Sequence, residues 1–355
     1  MPPDSSNPFG TEASIPPKTR LPNSGSFDGL EQTCPPSPFV AELEDVTVLG
    51  PAGIGVTDQS ELLKDTIAPR SDSDSRIEKV LARSVRHNGF RTTRDAVRSP
   101  SDRADRHVRT AASLIPVWNN YYHWTLECLP KLLGIETYHE RTGELPTLLL
   151  PPDLSSWMRE SLELVGDVDL VSRPLRSGTT RVDRFVVPSY PTPSRTGCFW
   201  LRDRAHRAAG VETETIEELP SRIYVSRHNA NIRRVRNAGA VHDVLEEFDI
   251  EPYALEELPV ATQVRLFANA DLVVSPHGAG LANLVYGTDP TVLELFGGKQ
   301  KTTFYRLSKL MGFEYHALFC DHTCEDLLVD PDRLRTVIGD IIAGDRTPIL
   351  PASSQ

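Results

Sequence analysis

Residues 276–280, Pro-His-Gly-Ala-Gly, are the part of this chain whose residue types best suit the binding of a charged ligand. The apolar run Leu272–Val274 precedes them and is typical of a buried parallel strand, and a short helical run, Leu281–Tyr286, follows. A glycine-rich loop between a strand and a helix presents backbone N–H groups that attract anions. We therefore predict an anion site in this loop. Its residues are His277, Gly278, Ala279 and Gly280.

Two polar residues follow the loop and are expected to face the same edge of the sheet. Asn283 lies in the short helical run, and Glu294 lies on a second predicted strand, Val292–Phe296. A nucleotide whose phosphate binds the loop and whose ribose binds Glu294 would use the loop and these polar residues together. Taken alone, a glycine pair after a strand more often marks an ordinary tight turn. This loop also lacks the third glycine of the dinucleotide fingerprint and the Lys-Ser/Thr of a P-loop.

A basic segment lies upstream of the loop. The predicted strand 222–227 ends in Arg227, and a loop containing Arg233, Arg234 and Arg236 leads to Asn237. Arginines at strand ends suit bidentate contacts with phosphate. The alternative is a solvated basic loop. Because the whole chain has a formal net charge of −11, this concentration of arginine favours an anion site that includes Arg227, Arg234 and Asn237.

A second group of candidate residues lies in the aromatic segment 118–130. In a helix, His123 and Glu127 would be one turn apart on the same face, and Pro130 would end or kink that helix. Aromatic rings can stack on the apolar faces of a sugar while a base takes a hydroxyl proton. The alternative is an aromatic-rich core helix that contains one satisfied His–Glu pair. The residues predicted to stack on a sugar or acceptor are Tyr121, Tyr122 and Trp124.

Together these segments resemble glycosyltransferase family 61. The matching motifs are Asn-Tyr-Tyr-His-Trp-x-x-Glu-x-x-Pro at 120–130, Tyr-Val-Ser-Arg at 224–227 with Arg234-x-x-Asn237, and Ser-Pro-His-Gly-Ala-Gly-Leu-x-Asn at 275–283. Asp is usual in the family where Glu127 stands, so the carboxylate is kept with a longer reach. The resemblance implies an α/β fold with two Rossmann-like domains facing a cleft, the GT-B type.

The resemblance also implies an inverting transfer of a sugar from a nucleoside diphosphate sugar to a hydroxyl of a glycan, a lipid-linked glycan, a polysaccharide or a glycoprotein. Such a single displacement needs one base. Glu127 is the first choice, with His123 orienting it or acting as the base itself, since an imidazole titrates closer to neutral pH. The sequence leaves that choice open.

We expect no metal or other cofactor. The two Asp-x-Asp runs, at 72–74 and 330–332, do not end core strands, and Arg227, Arg234 and the loop N–H groups could carry the leaving-group charge instead. Two other functions remain as alternatives. One is a nucleotide-dependent oxidoreductase, which the missing third glycine and the basic rim disfavour. The other is a non-catalytic scaffold of a polysaccharide assembly.

Composition limits the remaining possibilities. A chain of 355 residues with 39% hydrophobic residues can form two α/β domains. Its acidic balance argues against nucleic acid as a partner. It contains no apolar run long enough to span a membrane and no recognisable signal peptide, so we expect a cytoplasmic protein, with or without peripheral attachment to a membrane. The five scattered cysteines do not indicate a disulfide framework, and Cys320–Cys324 lacks a second pair at metal-site spacing.

The expected organisation has five parts, with the sugar-nucleotide site in the fourth. The third part is expected to contain strands at 145–150, 168–171 and 184–187 and a helix at 156–165, and a further helix is expected at 201–218. A closing helix near Asp332–Ile342 is expected to pack on the first α/β domain. The parts are a disordered segment 1–38, a β-rich region 39–105, an acceptor and base domain 106–218, a nucleotide-sugar domain 219–320, and a C-terminal helix and tail 321–355.

Overall fold

The computed structural model describes residues 39–67, 74–98, 104–166, 170–189, 193–211 and 219–344. The chain divides into two compact units, and the boundary between them falls between Leu201 and Arg202, within one helix. The predicted boundary at 218 lies further along the chain, because that prediction placed the whole linking helix in the first domain. The predicted disordered segment 1–38 lies outside the described residues.

The first unit is α/β. Its elements are β1 (Val40–Gly50), β2 (Ile54–Val56), α1 (Asp74–Arg98), β3 (Arg106–Ser113), α2 (Tyr121–His123) with the π-helix Trp124–Cys128, α3 (Lys131–Thr142), β4 (Thr147–Leu150), α4 (Ser156–Val165), β5 (Ser172–Pro174), β6 (Gly178–Pro188) and α5 (Arg195–Ala209). Helix α4 has the predicted bounds, and β4 and β6 include most of two predicted strands. The third strand was predicted at 168–171, partly outside the described residues, and β5 begins one residue later.

The described strands of the first unit form one six-stranded sheet in the order β2-β1-β6-β3-β4-β5. Strand β1 pairs antiparallel with β6 along its whole length, whereas β6, β3, β4 and β5 pair in parallel. Residues 40–50 therefore share a sheet with the predicted acceptor domain. Because this sheet is mixed, the expectation of two Rossmann-like domains is not confirmed for the first unit.

The 39–105 region also contains a long helix that the sequence pattern did not reveal. Helix α1 runs from Asp74 to Arg98 and is interrupted at Gly89, where φ is +80°. Its apolar residues, including Val80 and Ala96, pack with Ile54 and Val56 of β2. The surrounding residues are mostly charged, so the apolar stripe is narrow.

The second unit is built on parallel strands. Its elements are β7 (Arg222–Val225), α6 (Ala238–Glu247), β8 (Glu251–Tyr253), α7 (Val260–Asn269), β9 (Leu272–Pro276), the 3-10 helix Ala279–Tyr286, β10 (Thr291–Phe296), α8 (Thr303–Met311), β11 (Tyr315–Phe319), β12 (Asp321–Thr323), β13 (Asp326–Leu328) and α9 (Pro331–Ala343). The predicted strand–loop–helix–strand unit at 272–296 is confirmed. None of the described helices in either unit has the length and apolar character needed to cross a lipid bilayer.

The main sheet of the second unit has the strand order β11-β10-β9-β7-β8, with every pairing parallel. Numbered along the chain, this order is 2-1-3-4-5, that of a doubly wound α/β sheet. The strand order reverses between β7 and β9. In such sheets ligands bind at the carboxyl ends of the strands at this switch point.

The closing helix packs within the second unit, whereas the sequence pattern was taken to indicate packing on the first α/β domain. Buried Leu334, Val337 and Ile338 of α9 lie in one core cluster with Val241 and Leu245 of α6. The side chain of Asp330 caps the helix by accepting from the backbone N–H groups of Asp332 and Arg333. The apolar face of α9 therefore completes the core of the second unit.

This packing predicts a stability difference between two isoleucines of the same helix. Ile338 is fully buried and Ile342 is 39% exposed. We expect Ile338→Ala to lower the free energy of unfolding by about 2–5 kcal/mol, because the cavity left in the core is only partly filled. The matched substitution Ile342→Ala should cost about 0.5 kcal/mol or less. Urea denaturation followed by circular dichroism measures both, and equal losses would contradict the packing of α9.

Candidate functional site

The switch point of the second sheet brings two of the sequence-predicted segments together. Arg227 follows β7, and the 277–280 loop follows the adjacent parallel strand β9. Gly278 lies so close to Arg227 that a β-carbon at this position would be 2.1 Å from the guanidinium Nη1. Any larger residue at 278 would displace the arginine. The glycine therefore allows Arg227 to lie directly against the loop backbone.

The guanidinium of Arg227 is only partly satisfied by protein groups. One Nη donates to the carbonyl of Ile232 at 3.1 Å, while the buried Nε has no hydrogen-bond partner among the described residues. Burial, followed by the nearby charge of Arg233, lowers the pKa of Arg227 to about 10. Burial also lowers the pKa of Arg233. Its Nε lies 3.7 Å from Glu325 Oε2 and makes no hydrogen bond to any described residue. Two half-buried guanidinium groups at one sheet edge favour an anionic ligand.

Arg234 is held by an acid that the sequence analysis did not identify. The backbone N–H and the guanidinium of Arg234 both donate to Asp326, at 3.0 Å each, and Arg236 approaches the same carboxylate at 3.5 Å. The hydrogen bonds from Arg234 are the main reason that the pKa of Asp326 is lowered. Asp326 lies about ninety residues further along the chain in β13, so nothing in the local pattern pointed to it. This contact fixes the basic loop.

The side-chain amide of Asn237, which was predicted to contact the ligand, is hydrogen-bonded to the backbone of Val329. Its Nδ2 donates to the carbonyl of Val329 at 2.6 Å, and its Oδ1 accepts from the Val329 N–H at 3.0 Å. Both ends of the side-chain amide are therefore used to join the start of α6 to the chain after β13. The contact of Asn237 with the nucleotide sugar stays a prediction, although both of its amide groups already have backbone partners.

His277 and Glu294 form the buried centre of the site. The imidazole Nδ1 lies 2.5 Å from Glu294 Oε1, and Tyr315 Oη donates to Glu294 Oε2, also at 2.5 Å. Glu294 is completely buried and both of its carboxylate oxygens contact protein groups, so its contact with a ribose stays a prediction that this geometry does not support. Its carboxylate faces inward because it belongs to β10, a central strand of the sheet. Tyr315 was missed because the run 315–319 was not identified as a strand.

Asn283 also lies inside the protein. It is fully buried, and its Nδ2 donates to Gln263 Oε1 at 2.8 Å, while Gln263 donates to the carbonyls of Leu255 and Leu258. This chain of amides fixes the 3-10 helix against α7 and the preceding turn. The contact of Asn283 with the ligand therefore stays a prediction that this burial does not support. Ala279 and Gly280, by contrast, are half-buried and lie at the surface of the loop.

In the first unit, His123 and Glu127 share one helix face as predicted. His123 Nδ1 lies 2.6 Å from Glu127 Oε2, and the side chains are 19% and 7% exposed, respectively. The helix widens here to a π-helix, in which the N–H of Leu129 bonds to the carbonyl of Trp124. The side chain of Asn120 caps its beginning by accepting from the N–H of Tyr122. The carboxylate is therefore the more buried group of this pair.

The predicted aromatic platform is only partly accessible. Trp124 is fully buried, and its Nε1 donates to Ser161 Oγ at 2.7 Å, so its ring cannot stack on a sugar. Tyr121 and Tyr122 are half-buried. The ring of Tyr121 lies 5.4 Å from that of Trp157, and the ring of Tyr122 meets His123 edge-on at 5.2 Å. Two of the three predicted aromatic side chains therefore remain at the surface.

A buried lysine follows the His–Glu pair. Lys131 is 2% exposed, and burial lowers its pKa, while Cys128, Asp65 and Glu127 act in the opposite direction. Burial also raises the pKa of the Cys128 thiol to about 12, so this cysteine is not a thiolate nucleophile at neutral pH. Glu127 thus interacts electrostatically with buried Lys131 and contacts the imidazole of His123. Sequence reasoning missed Lys131, although its spacing of four from Glu127 is a usable signal.

The described ranges contain no group of three or more His, Cys, Asp or Glu side chains that could hold a metal ion. His322, between the two cysteines considered as zinc ligands, uses its Nδ1 to contact the carbonyl of Cys324 at 3.1 Å.

Comparison with known proteins agrees with the motifs. The family model described as Glycosyltransferase 61 matches residues 121–293, which include both the His–Glu helix and the glycine loop. Similar curated proteins are named EGF domain-specific O-linked N-acetylglucosamine transferase, from Gallus gallus (24% identical), Pan troglodytes (25%) and Canis lupus familiaris (27%). Each match covers 139 residues, 36% of this chain and 26% of the relative. The matched part thus spans about a quarter of the length of these relatives.

These matches confirm the resemblance that the sequence motifs indicated, and they support glycosyl transfer as the general activity. Residues 121–293 of this chain are thus similar to glycosyltransferase family 61.

Proposed function

We propose that this protein transfers a sugar from a nucleoside diphosphate sugar to a hydroxyl acceptor by a single inverting displacement. The observation that carries the proposal is the placement of Arg227 against Gly278 at the switch point of a parallel sheet. Desolvated guanidinium groups there suit a diphosphate, whose charge grows as the glycosidic bond breaks. A GT-B organisation, with donor binding assigned to the second unit and acceptor activation to the first, is part of this proposal.

The donor contacts in this proposal come from Arg227, Arg233 and the backbone of the 277–280 loop. Arg234 supports them by fixing the basic loop through Asp326. Because the relatives' name specifies N-acetylglucosamine, UDP-N-acetylglucosamine is the first donor to test, followed by other hexose and pentose nucleotides. The acceptor is a hydroxyl on a glycan, a lipid-linked glycan or a glycoprotein.

The acceptor base in this proposal is His123, and Glu127 is its positioning residue. This reverses the first choice made from sequence. The imidazole is the more exposed of the two side chains, while the carboxylate lies beneath it, close to buried Lys131. A buried carboxylate that accepts from Nδ1 leaves Nε2 to take a proton from a hydroxyl. Tyr121 and Tyr122 are the proposed acceptor contacts.

The first prediction concerns donor binding. UDP at about 100 times its Kd should stabilise the wild-type protein by about 2.7 kcal/mol, which thermal unfolding detects. Arg227→Met should weaken UDP binding about 10- to 100-fold, because hydrogen bonds to charged groups contribute about 1.5–3 kcal/mol. Arg207→Met removes an exposed arginine of α5 and should leave the shift unchanged. A full shift in folded Arg227→Met protein would remove Arg227 from the site.

The second prediction concerns the base. His123→Gln should lower the rate of sugar transfer by about 10²–10⁴-fold while UDP affinity stays close to that of wild type. Glu127→Gln should have a smaller effect on kcat and should alter its pH profile, because the amide cannot hold the imidazole as the carboxylate does. The control is His107→Gln, which alters a surface His–Asp pair of the same unit.

Two results would contradict this assignment. A dead Glu127→Gln variant with a nearly active His123→Gln variant would return the base role to the carboxylate. If both variants transfer sugar normally, the His–Glu helix is part of the core and has no role in turnover. If the wild-type protein binds nucleotide sugars without any transfer or hydrolysis, the scaffold alternative is favoured.

The third prediction concerns metal. Transfer should continue at an undiminished rate in excess EDTA, since arginine side chains and loop N–H groups neutralise the leaving group in this proposal. The measurement is the rate of UDP release with and without the chelator. Loss of turnover that manganese or magnesium restores would contradict a metal-independent reaction.

A further inference from the structure

The buried carboxylate of Glu294 has a phenol at one oxygen and an imidazole nitrogen at the other. Burial and the adjacent Glu294 raise the pKa of Tyr315 well above its usual value, so this phenol keeps its proton and donates it to Glu294 Oε2. His277 Nδ1 lies 2.5 Å from Glu294 Oε1, within hydrogen-bond distance. We take Nδ1–H as the donor of this bond, because a carboxylate accepts hydrogen bonds.

The position of the imidazole ring is fixed as well. His277 stacks on Phe296 at 5.5 Å with an interplanar angle of 23°, and the ring of Phe304 lies 5.5 Å away on a tilted plane. The only side-chain hydrogen bond found for His277 among the described residues is the one to Glu294. The Nε2 atom is thus the part of the ring that remains for a ligand. Pre-organised groups of this kind are effective because no reorganisation is needed during the reaction.

The charged groups around His277 are arranged for an anion. Glu294 lies on β10 and Tyr315 on β11, on the protein side of the ring. Arg227 lies against Gly278, the next residue along the chain, and the carboxylate of Glu294 also interacts favourably with Arg233. The carboxylate of Glu294 thus lies beside His277 and interacts electrostatically with Arg233 at the sheet edge. A diphosphate bound there would meet cations and N–H donors.

We propose that His277 is the catalytic acid of the reaction, with Glu294 and Tyr315 as its positioning residues. This inference rests on the proposed function, because it takes the leaving group to be a nucleoside diphosphate. As the bond between the anomeric carbon and the β-phosphate oxygen breaks, both bonding electrons pass to that oxygen. In this step His277 starts as the imidazolium, with a proton on each ring nitrogen, and gives the Nε2 proton to the same oxygen, which leaves a neutral imidazole with Nδ1–H on Glu294. The acceptor hydroxyl forms the new bond to the anomeric carbon and loses its own proton to His123, and solvent then restores both imidazoles.

The test separates binding from turnover. His277→Gln should lower kcat for UDP-N-acetylglucosamine, or for whichever nucleotide sugar the wild-type protein turns over, by about 10²–10⁴-fold. Its affinity for UDP should fall much less, because Arg227 and the loop N–H groups remain. The matched control is His316→Gln. His316 lies on β11, and its Nε2 is 3.0 Å from Glu314 Oε1, so this variant alters another His–Glu pair. Thermal unfolding confirms that each variant is folded.

A chemical rescue experiment tests the positioning residues. In His277→Gly, added imidazole should enter the space between the two phenylalanines and restore part of the lost turnover. The same imidazole should restore much less in His277→Gly combined with Tyr315→Phe, because the carboxylate then lacks its second donor. A purely structural role of Tyr315 would leave the extent of rescue unchanged.

The outcomes distinguish this inference from the proposed function. If the wild-type protein does not bind UDP, both are contradicted. If UDP binds and folded His277→Gln turns over within about threefold of wild type, the acid role of His277 is overturned while the donor site stands. If turnover falls but imidazole never restores it, and UDP affinity falls equally, His277 only binds the nucleotide and the acid role is again overturned.

Discussion

The second unit depends on how it accommodates the carboxylate of Glu294, which is completely buried in the central strand β10. A charge in this position is tolerated only if it is paired and hydrogen-bonded, and removing one partner of such a pair typically costs about 3–5 kcal/mol. His277 and Tyr315 satisfy one oxygen each. The carboxylate in turn fixes the imidazole at the end of β9. The position of His277 at the start of the loop thus depends on its hydrogen bond to the buried carboxylate of Glu294.

The parallel sheet gives this pair its position. With the strand order 2-1-3-4-5, the ends of β7 and β9 meet at the point where connections run to opposite sides. Arg227 ends one of these segments, and His277 follows the other. Gly278 permits the arginine to contact the loop, and Asp326 holds the rest of the basic loop through Arg234. Positive charge therefore gathers at one edge of a chain that is acidic overall.

Sequence reasoning could locate the elements of the second unit because their patterns are local. A short apolar run with a glycine pair after it predicted β9 and the anion loop, and a second apolar run predicted β10. Local patterns say less about which way a polar side chain points. Asn237, Asn283 and Glu294 were expected at the ligand, yet each pairs with groups far away in sequence. Their partners, such as Val329 and Tyr315, become neighbours only when the sheet forms.

The first unit was harder to predict for a similar reason. Strand β1 pairs with β6 nearly 140 residues later, which no local pattern encodes, so residues 40–50 looked like a separate region. The His123–Glu127 pair was predictable because its spacing is one helical turn. Which of the two side chains is more buried could not be predicted, because that depends on Lys131 and on the core behind the helix. Trp124 was assigned to the surface for the same reason.

A crystal structure of the protein with bound UDP tests the central claim most directly. The diphosphate should lie at the carboxyl ends of β7 and β9. Its oxygens should be about 2.7–3.2 Å from the guanidinium of Arg227, a backbone N–H of the 277–280 loop and Nε2 of His277. A diphosphate bound elsewhere on the chain, with Arg227 and His277 unchanged and without ligand contacts, would contradict it.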